Sequence, residues 1–213
     1  MSRIARSGIV PIVTVRDLPD GIALVDRLVE AGADVIEIVL RTPDAPSALN
    51  AALGRHPHCL FAAGTVLDEE GARMACDAGA HFLVSPGLTP ELHEAASKSG
   101  RMLVPGVQTA SEVMAARRLG YRLMKYYPAE PSNGLVVLED YGNIFHNVAF
   151  MATGKIKPDL LAAYGRLANV AAVGGSWMLK PAAMGQFPDD RSRFLAARPA
   201  SSFAGLPIIS AAP

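Results

Sequence analysis

The segment EAGADVIEI, residues 30–38, joins the end of a helical pattern to an apolar strand through a glycine. The same arrangement recurs as DAGAHFLVS at residues 77–85 and as RLGYRLMKY at residues 118–126. Glycine commonly ends a helix because it adopts left-handed backbone angles without steric cost. The recurrence therefore predicts a chain of repeated strand–helix units.

Eight apolar segments are predicted to be strands, and helical patterns lie between them. They are IVPIVTV (9–15), DVIEIVL (34–40), LFAAGTV (60–66), HFLVSP (81–86), MLVPGV (102–107), RLMKYYP (122–128), NVAFMATG (147–154) and AAVGGS (171–176). Eight strand–helix units in about 200 residues predict an α/β fold, the (β/α)8 TIM barrel. An open doubly wound sheet is the alternative, but its glycine-rich dinucleotide motif is missing from the first strand-to-helix turn, VTVRDLPDG.

We expect one barrel domain over residues 1–190, followed by a C-terminal tail over residues 191–213. Only a short helical pattern, near residues 190–197, fits this tail, whose end is rich in proline and small residues. The tail is therefore expected to be partly helical or loosely ordered.

The composition indicates a folded protein with a large core, because 50% of the residues are hydrophobic and 19% are charged. The 20 basic and 20 acidic residues form no block of one sign, so neither a nucleic-acid nor a membrane partner is expected. No apolar run reaches the roughly 20 residues of a membrane span. Cys59 and Cys76 show no metal or disulfide spacing. We expect a cytoplasmic protein with reduced cysteines.

Charged residues stand on two strands that should be covered on both faces. Strand alternation puts Glu37 and Arg41 on one face of strand two, and Lys125 and Tyr127 on one face of strand six. A charge on such a strand is costly unless it is paired or lies near the C-terminal mouth, where barrel active sites are built. We interpret these residues as one site at the mouth; a structural ion network is the alternative.

Lys125 is suited to covalent chemistry. Burial disfavours the ammonium form of a lysine, and the neutral amine can form a Schiff base with a ketone. Glu37 is the carboxylate placed to move protons during this reaction. Arg41 would bind a substrate carboxylate in a bidentate manner, together with Thr65, which alternation puts on the same face as Ala63.

A metal or an organic cofactor is not expected. The five histidines, His56, His58, His81, His93 and His146, fall in a loop, on a helix and at strand beginnings. The beginnings of the strands are the end of a barrel opposite to the active site. The histidines thus do not assemble a usual ligand set.

The last two strands end in segments that suit an anion. ATGKI (152–156) follows strand seven and VGGSW (173–177) ends strand eight. Many barrels bind phosphate between these two loops, where glycines let backbone N–H groups approach the anion. We predict contacts from Thr153, Gly154, Gly174, Gly175 and Ser176; a tight turn is the alternative reading of the glycines.

Several of these segments, taken in order, resemble a known family. IEIVLRT, AAGTVL, SPGLT, VPGVQTASE, KYYPAE and GGSW are similar to the class I 2-keto-3-deoxy-6-phosphogluconate (KDPG) aldolases and the related 4-hydroxy-2-oxoglutarate (KHG) aldolases. The resemblance runs from about residue 9 to 180. It implies a homotrimeric (β/α)8 barrel that cleaves a phosphorylated 2-keto sugar acid to pyruvate and glyceraldehyde 3-phosphate.

The resemblance also implies a role for individual residues. It makes Lys125 the Schiff-base lysine and Glu37 the general acid and base. Arg41 and Thr65 then hold the pyruvate carboxylate, and Tyr127 is an aromatic residue of the pocket. The glycines and serine of GGSW (174–176) form part of the phosphate site.

The chain departs from the family pattern at two site positions and at its end. Lys155 stands where the usual PTGGI motif has a glycine, Val39 stands where threonine is common, and the family's long C-terminal helix is poorly matched. The ammonium of Lys155 could bind the phosphate, or its side chain could crowd the site.

The alternative functions are therefore aldolases for 4-hydroxy-2-oxoglutarate or 2-keto-3-deoxy-6-phosphogalactonate, or a catalytically silent barrel that binds a sugar acid.

Overall fold

A ring of eight parallel strands forms the centre of the computed structural model, which describes residues 3–200 and residue 202. The strands are β1 (Ile9–Thr14), β2 (Val35–Val39), β3 (Leu60–Gly64), β4 (Phe82–Val84), β5 in two segments (Met102–Val104 and Gly106–Val107), β6 (Leu123–Tyr126), β7 (Ala149–Thr153) and β8 (Val170–Gly175). Each pairs in parallel with its neighbours. The predicted (β/α)8 barrel is confirmed.

The ring closes through the interrupted strand β5. Its first segment pairs with β4 and its second with β6. Pro105, between them, has no N–H for a strand ladder, but its carbonyl accepts a hydrogen bond from the Lys125 N–H at 2.8 Å. At Gly106 an added Cβ would lie 2.0 Å from the carbonyl carbon of Pro86. The bend at β5 thus requires a glycine because two loops touch there.

Except for the first, which precedes β1 and packs Ile4 and Ala5 against the interior of the ring, the helices follow strands and surround the ring. They are α1 (Arg3–Ser7), α2 (Leu18–Glu30), α3 (Ala45–Arg55), α4 (Glu69–Asp77), α5 (Pro90–Ser99), α6 (Ala110–Arg118), α7 (Gly134–Ile144), α8 (Leu161–Arg166), α9 (Pro181–Met184) and α10 (Phe187–Ala196). Asp17, Asp68, Thr89 and Thr109 cap four of them with side-chain oxygens, as residues of these types favour. None of the helices in the described part of the chain is long and apolar enough to cross a membrane.

Alternate residues of the strands pack into two separate apolar clusters. Val35, Leu123 and Met151 belong to the smaller cluster, inside the ring. Met124 and Tyr126 belong to the larger cluster, between the ring and the helices. Met124 and Tyr126 therefore face the helix layer, and Lys125, which stands between them in the strand, faces inward.

The chain beyond β8 packs on the barrel as far as the structure describes it. Helix α10 begins at Phe187, earlier than the helix expected near residue 190, and it crosses the boundary placed there between barrel and tail. Phe194 is fully buried, and a Cβ added to Gly165 of α8 would lie 2.5 Å from the Phe194 carbonyl oxygen. The predicted tail residues 201 and 203–213 lie outside the described residues.

Candidate active site

Lys125 and Glu37 meet inside the barrel from opposite sides of the ring. In the order of strands around the barrel, β6 lies across from β2. The Nζ atom of Lys125 donates a hydrogen bond to Oε1 of Glu37 at 3.2 Å. The exposed fraction is 6% for Lys125 and 0% for Glu37, so an amine and a carboxylate are isolated together from bulk water.

The second oxygen of Glu37 is left without a partner. Oε2 is buried and makes no hydrogen bond to any described residue. Leaving a buried carboxylate oxygen unpaired costs free energy, so such a group commonly has a functional reason. This oxygen can accept a proton or a hydrogen bond from a bound ligand or water molecule.

Gly64 makes room for Glu37. A Cβ added at this position would lie 2.2 Å from Glu37 Oε1 and 2.7 Å from its Cγ. Gly64 is not among the site residues predicted from the sequence. The available signal was a glycine inside a strand, which often marks a close approach of another group.

Arg41 contacts Thr65 at the mouth of the barrel. The Arg41 Nε donates to Thr65 Oγ1 at 2.9 Å, and Arg41 makes no ion pair with a described residue. The two predicted carboxylate-binding residues are therefore neighbours. Arg41 does not join Lys125 and Glu37 in a three-charge network among the described residues, so the alternative reading, a structural ion network of all three charges, is not formed there.

The prediction that Ala63 and Thr65 share one face of strand three is wrong. Ala62 lies in the cluster inside the ring, whereas Ala63 packs in the outer layer. Strand β3 ends at Gly64, and Thr65 follows with a positive φ of 60°. Strict alternation holds only for extended backbone, so this left-handed residue breaks it and brings its hydroxyl to Arg41.

Tyr127 borders the lysine on the solvent side. The centre of its ring lies 5.6 Å from Lys125 Nζ, a distance at which a cation is attracted to an aromatic face. Tyr127 is 38% exposed. Tyr127 therefore lies at the rim of the pocket, next to Lys125.

The residues predicted to bind phosphate gather at the ends of β7 and β8. Thr153 pairs with Gly174, and a Cβ added to Gly174 would lie 2.6 Å from Thr153 Cγ2. Thr153 is buried, and its hydroxyl has no hydrogen-bond partner among the described residues. Gly154 has a φ of 111°, a value that favours glycine. Gly175 and Ser176 follow on the neighbouring strand end, where Ser176 is exposed.

Lys155 extends from the same edge. It is exposed and has a φ of 61°, although it carries a Cβ. Left-handed backbone is unfavourable for such residues. The Lys155 ammonium forms no ion pair with a described residue, so this loop presents an uncompensated positive charge.

Three of the five histidines have side-chain hydrogen-bond partners away from this mouth. His93 Nδ1 lies 2.9 Å from the Tyr121 hydroxyl, and His56 Nε2 lies 2.6 Å from Asp26. His81 accepts a hydrogen bond from the Phe61 N–H, and its burial lowers its pKa. Within residues 3–200 and residue 202, no three His, Cys, Asp or Glu side chains are grouped to hold a metal ion.

The chain that carries this geometry matches a known protein family. A family model described as "KDPG and KHG aldolase" matches residues 1–190. The chain belongs to this family. Membership makes it an aldolase, a carbon–carbon lyase, and confirms the resemblance drawn from the sequence motifs.

Individual relatives agree with this assignment. The chain is 40% identical to the 2-dehydro-3-deoxy-phosphogluconate aldolase of Pseudomonas aeruginosa over 82% of this chain and 79% of that protein. It is also similar to the crystal structure of the Zymomonas mobilis ZM4 KDPG aldolase with 3-phosphoglycerate, with a TM-score of 0.84 at 33% identity, covering 92% and 96% of the two chains. A third relative is the Legionella pneumophila KDPG aldolase with pyruvate captured at low pH as a covalent carbinolamine, with a TM-score of 0.80 at 34% identity and the same coverage, 92% and 96%.

Proposed function

We propose that this aldolase cleaves KDPG to pyruvate and glyceraldehyde 3-phosphate through a Schiff base on Lys125. The observation that carries the proposal is the 3.2 Å contact between Lys125 Nζ and Glu37 Oε1 inside the barrel. A lysine nucleophile needs a neighbouring group that moves protons, and a buried carboxylate can serve as acid and base in turn. The pyruvate carbinolamine captured in the Legionella pneumophila relative supports a covalent route.

The reaction follows from these two groups. The neutral Lys125 amine attacks the C2 ketone, and the resulting carbinolamine loses water to give an iminium. Glu37 removes the C4 hydroxyl proton, the C3–C4 bond breaks, and its electrons move into the iminium. The aldehyde leaves and an enamine remains. Proton return to C3 and addition of water then release pyruvate and restore the amine.

The remaining residues would bind the two ends of the substrate. Arg41 and Thr65 are next to each other and can hold the carboxylate. At the other end, the buried Thr153 hydroxyl has no hydrogen-bond partner among the described residues, and the glycines at the ends of β7 and β8 would let backbone N–H groups approach the phosphate. Lys155 adds a positive charge for the phosphate. The 3-phosphoglycerate in the Zymomonas mobilis relative supports a phosphorylated ligand.

Borohydride trapping tests the covalent step. Reduction in the presence of pyruvate is expected to leave a stable adduct on Lys125, detectable by mass spectrometry of the intact protein and its peptides. Lys125→Ala should lose the adduct, whereas Lys98→Ala, which removes an exposed lysine paired with Glu94 on α5, should keep it. An adduct that survives Lys125→Ala, or a wild-type protein that forms none, contradicts the mechanism.

Trapping and cleavage are both expected to be insensitive to EDTA, because we propose no metal.

KHG aldolase activity is the second candidate, and Lys155 motivates it. A side chain in place of a small residue at the anion end could disfavour the phosphate and leave a smaller 2-keto acid as substrate. Comparing kcat/KM for KDPG and for 4-hydroxy-2-oxoglutarate separates the two functions. If kcat/KM for 4-hydroxy-2-oxoglutarate is at least equal to kcat/KM for KDPG, the chain has no functional phosphate site and the proposal of one is wrong.

We further propose a cytoplasmic homotrimer, a property carried by the family resemblance. Exposed apolar side chains on the outer helices, such as Met114, Val136 and Ile144, provide surface for subunit contact. Light scattering during gel filtration should give a mass three times that of the chain. A monomer at micromolar concentration contradicts this assembly.

A further inference from the structure

A buried tyrosine outside the barrel ring holds the loop that follows the lysine strand. Tyr164 of α8 is fully buried, and its hydroxyl donates a hydrogen bond to Glu130 Oε1 at 2.6 Å. Glu130 lies in the loop after β6, five residues beyond Lys125. A Cβ added to Gly134 would lie 2.9 Å from the Tyr164 oxygen, so this glycine leaves room for the hydroxyl.

The same loop is joined to the end of β7. The N–H of Ala129 donates to the Thr153 carbonyl at 2.7 Å, and the N–H of Glu130 donates to the Gly154 carbonyl at 3.1 Å. A Cβ added to Gly154 would meet the Ala129 nitrogen at 3.0 Å, so the two loops pack closely. The position of Glu130 therefore constrains the backbone at Thr153 and Gly154.

A phenylalanine could fill the Tyr164 volume without burying a polar group. The hydroxyl carries a desolvation cost that only a good partner offsets, and a carboxylate is the strongest acceptor available to it. Burial, and then the contact with Glu130, raises the pKa of Tyr164. The phenol is thus held in its protonated form, in which it can donate this hydrogen bond.

We propose that Tyr164 and Glu130 are positioning residues that hold the Thr153–Gly154 end of the site in its ligand-binding geometry. Neither residue needs to touch the reacting atoms. The inference rests on the proposed function, in which this end of the site binds the phosphate. Lys125 is instead held within β6 by its strand pairing with β7. Loss of the link should therefore weaken binding of the phosphorylated end and spare attack on pyruvate.

Tyr164→Phe and Glu130→Ala test the link in the full-length enzyme. Each should raise KM for KDPG about tenfold and change kcat by less than about threefold, because displacing a binding group by a fraction of an ångström is enough for such losses. The rate of borohydride trapping with pyruvate should stay within about twofold of wild type. The double variant should be no worse than Glu130→Ala alone, since both changes remove one interaction.

Two variants serve as matched controls. Glu130→Gln keeps an oxygen that accepts the Tyr164 hydrogen bond, and its KM should stay within about threefold of wild type. Tyr121→Phe removes a hydroxyl that contacts His93 instead, and it should leave KM unchanged.

The proposal is overturned if Tyr164→Phe and Glu130→Ala leave KM for KDPG unchanged. It is also overturned if trapping falls together with cleavage, which indicates general loss of structure, or if Glu130→Gln is as harmful as Glu130→Ala. Should Tyr164→Phe fail to fold, the two Glu130 variants decide the question. These outcomes differ from a failure of the proposed function, in which the wild-type enzyme itself gives no pyruvate adduct.

Discussion

At the scale of single residues, the site depends on which side chains are small. Glu37 can reach Lys125 only because Gly64, on the neighbouring strand β3, leaves its volume empty. A packed interior cannot absorb extra atoms without moving side chains or backbone. Gly64 is therefore as necessary to the contact between amine and carboxylate as the two charged residues themselves.

Gly64→Ala should disable the enzyme while leaving most of its fold. The added Cβ would lie 2.2 Å from Glu37 Oε1, so the carboxylate must move away from Lys125. We expect kcat to fall by about 100-fold and the free energy of unfolding to fall by about 1–3 kcal/mol. Steady-state kinetics and urea unfolding measure these effects.

Gly54→Ala is the control, because no atom lies within 4 Å of its added Cβ in α3; it should stabilise the fold by about 0.5–1 kcal/mol and keep kcat. Normal kcat in Gly64→Ala contradicts the packing argument.

Lys155→Gly should raise the stability of the fold and at the same time weaken binding of the phosphorylated substrate. The left-handed φ of 61° is unfavourable for lysine and free for glycine, so the free energy of unfolding should rise by about 1 kcal/mol. Loss of the positive charge should raise KM for KDPG several-fold and leave KM for 4-hydroxy-2-oxoglutarate unchanged. Paired urea-unfolding and kinetic measurements check both effects. If KM for KDPG falls instead, the side chain crowds the phosphate site.

At the scale of helices and strands, side-chain links between elements set the stability. Asp26 of α2 accepts hydrogen bonds from Arg55 at the end of α3 and contacts His56, which follows it. The Arg55 guanidinium in particular holds the pKa of the Asp26 carboxyl below its usual value. Helices α2 and α3 are thus linked by a charge pair as well as by apolar packing.

Asp26→Asn should show a stability loss that depends on pH. Because the folded-state pKa of Asp26 lies below the unfolded-state value of about 4, the ionised carboxylate stabilises the fold above that value. This contribution disappears as the pH falls through the folded-state pKa. We expect a loss of up to about 1 kcal/mol at pH 7 and no difference near the acid limit. Urea unfolding from neutral to acid pH measures this loss.

Asp77→Asn, which removes a highly exposed pair with Arg73, should change the free energy of unfolding little at any pH. An Asp26→Asn loss that does not vary with pH rules out this ionic contribution.

At the scale of the whole molecule, the closed ring decides which residues can meet. Closure requires β5 to pair with β4 along one segment and with β6 along the other. The Gly106 N–H donates to the Gly87 carbonyl at 3.3 Å at this junction. Once the ring is closed, β2 and β6 face each other across it and every strand ends at the same mouth.

Gly106→Ala should weaken the barrel as a unit. An added Cβ would lie 2.0 Å from the Pro86 carbonyl carbon and 2.4 Å from the Gly87 nitrogen, and backbone atoms cannot rotate away as a side chain can. We expect a loss of about 2–3 kcal/mol in the free energy of unfolding, seen by circular dichroism during urea unfolding. Gly87→Ala in the same junction has nothing within 4 Å of its added Cβ and should be near neutral. Equal stability of the two variants contradicts this account of closure.

Much of the fold was predictable because burial of both strand faces leaves continuous apolar segments in the sequence. All eight predicted strands occur, with ends that differ by a few residues. Lys125 and Glu37 were also visible, because a charge in such a segment is rare and alternation assigns its face. Their contact bridges 88 residues of sequence, and the barrel topology was needed to bring them together. The functional roles of the site residues stay predictions.

The sequence by itself determined the parallel barrel and the inward face of the lysine strand, because these follow from local hydrophobic patterns. It also predicted the type of chemistry, from the residue types on that face. Only the tertiary structure decided how Thr65 reaches Arg41, why Gly64 must be small, and that Tyr164 holds Glu130. Each of these depends on backbone angles at a strand end or on the approach of segments distant in sequence. The local periodicity of the sequence does not predict such distances, because they are set when the ring closes and the helices pack around it.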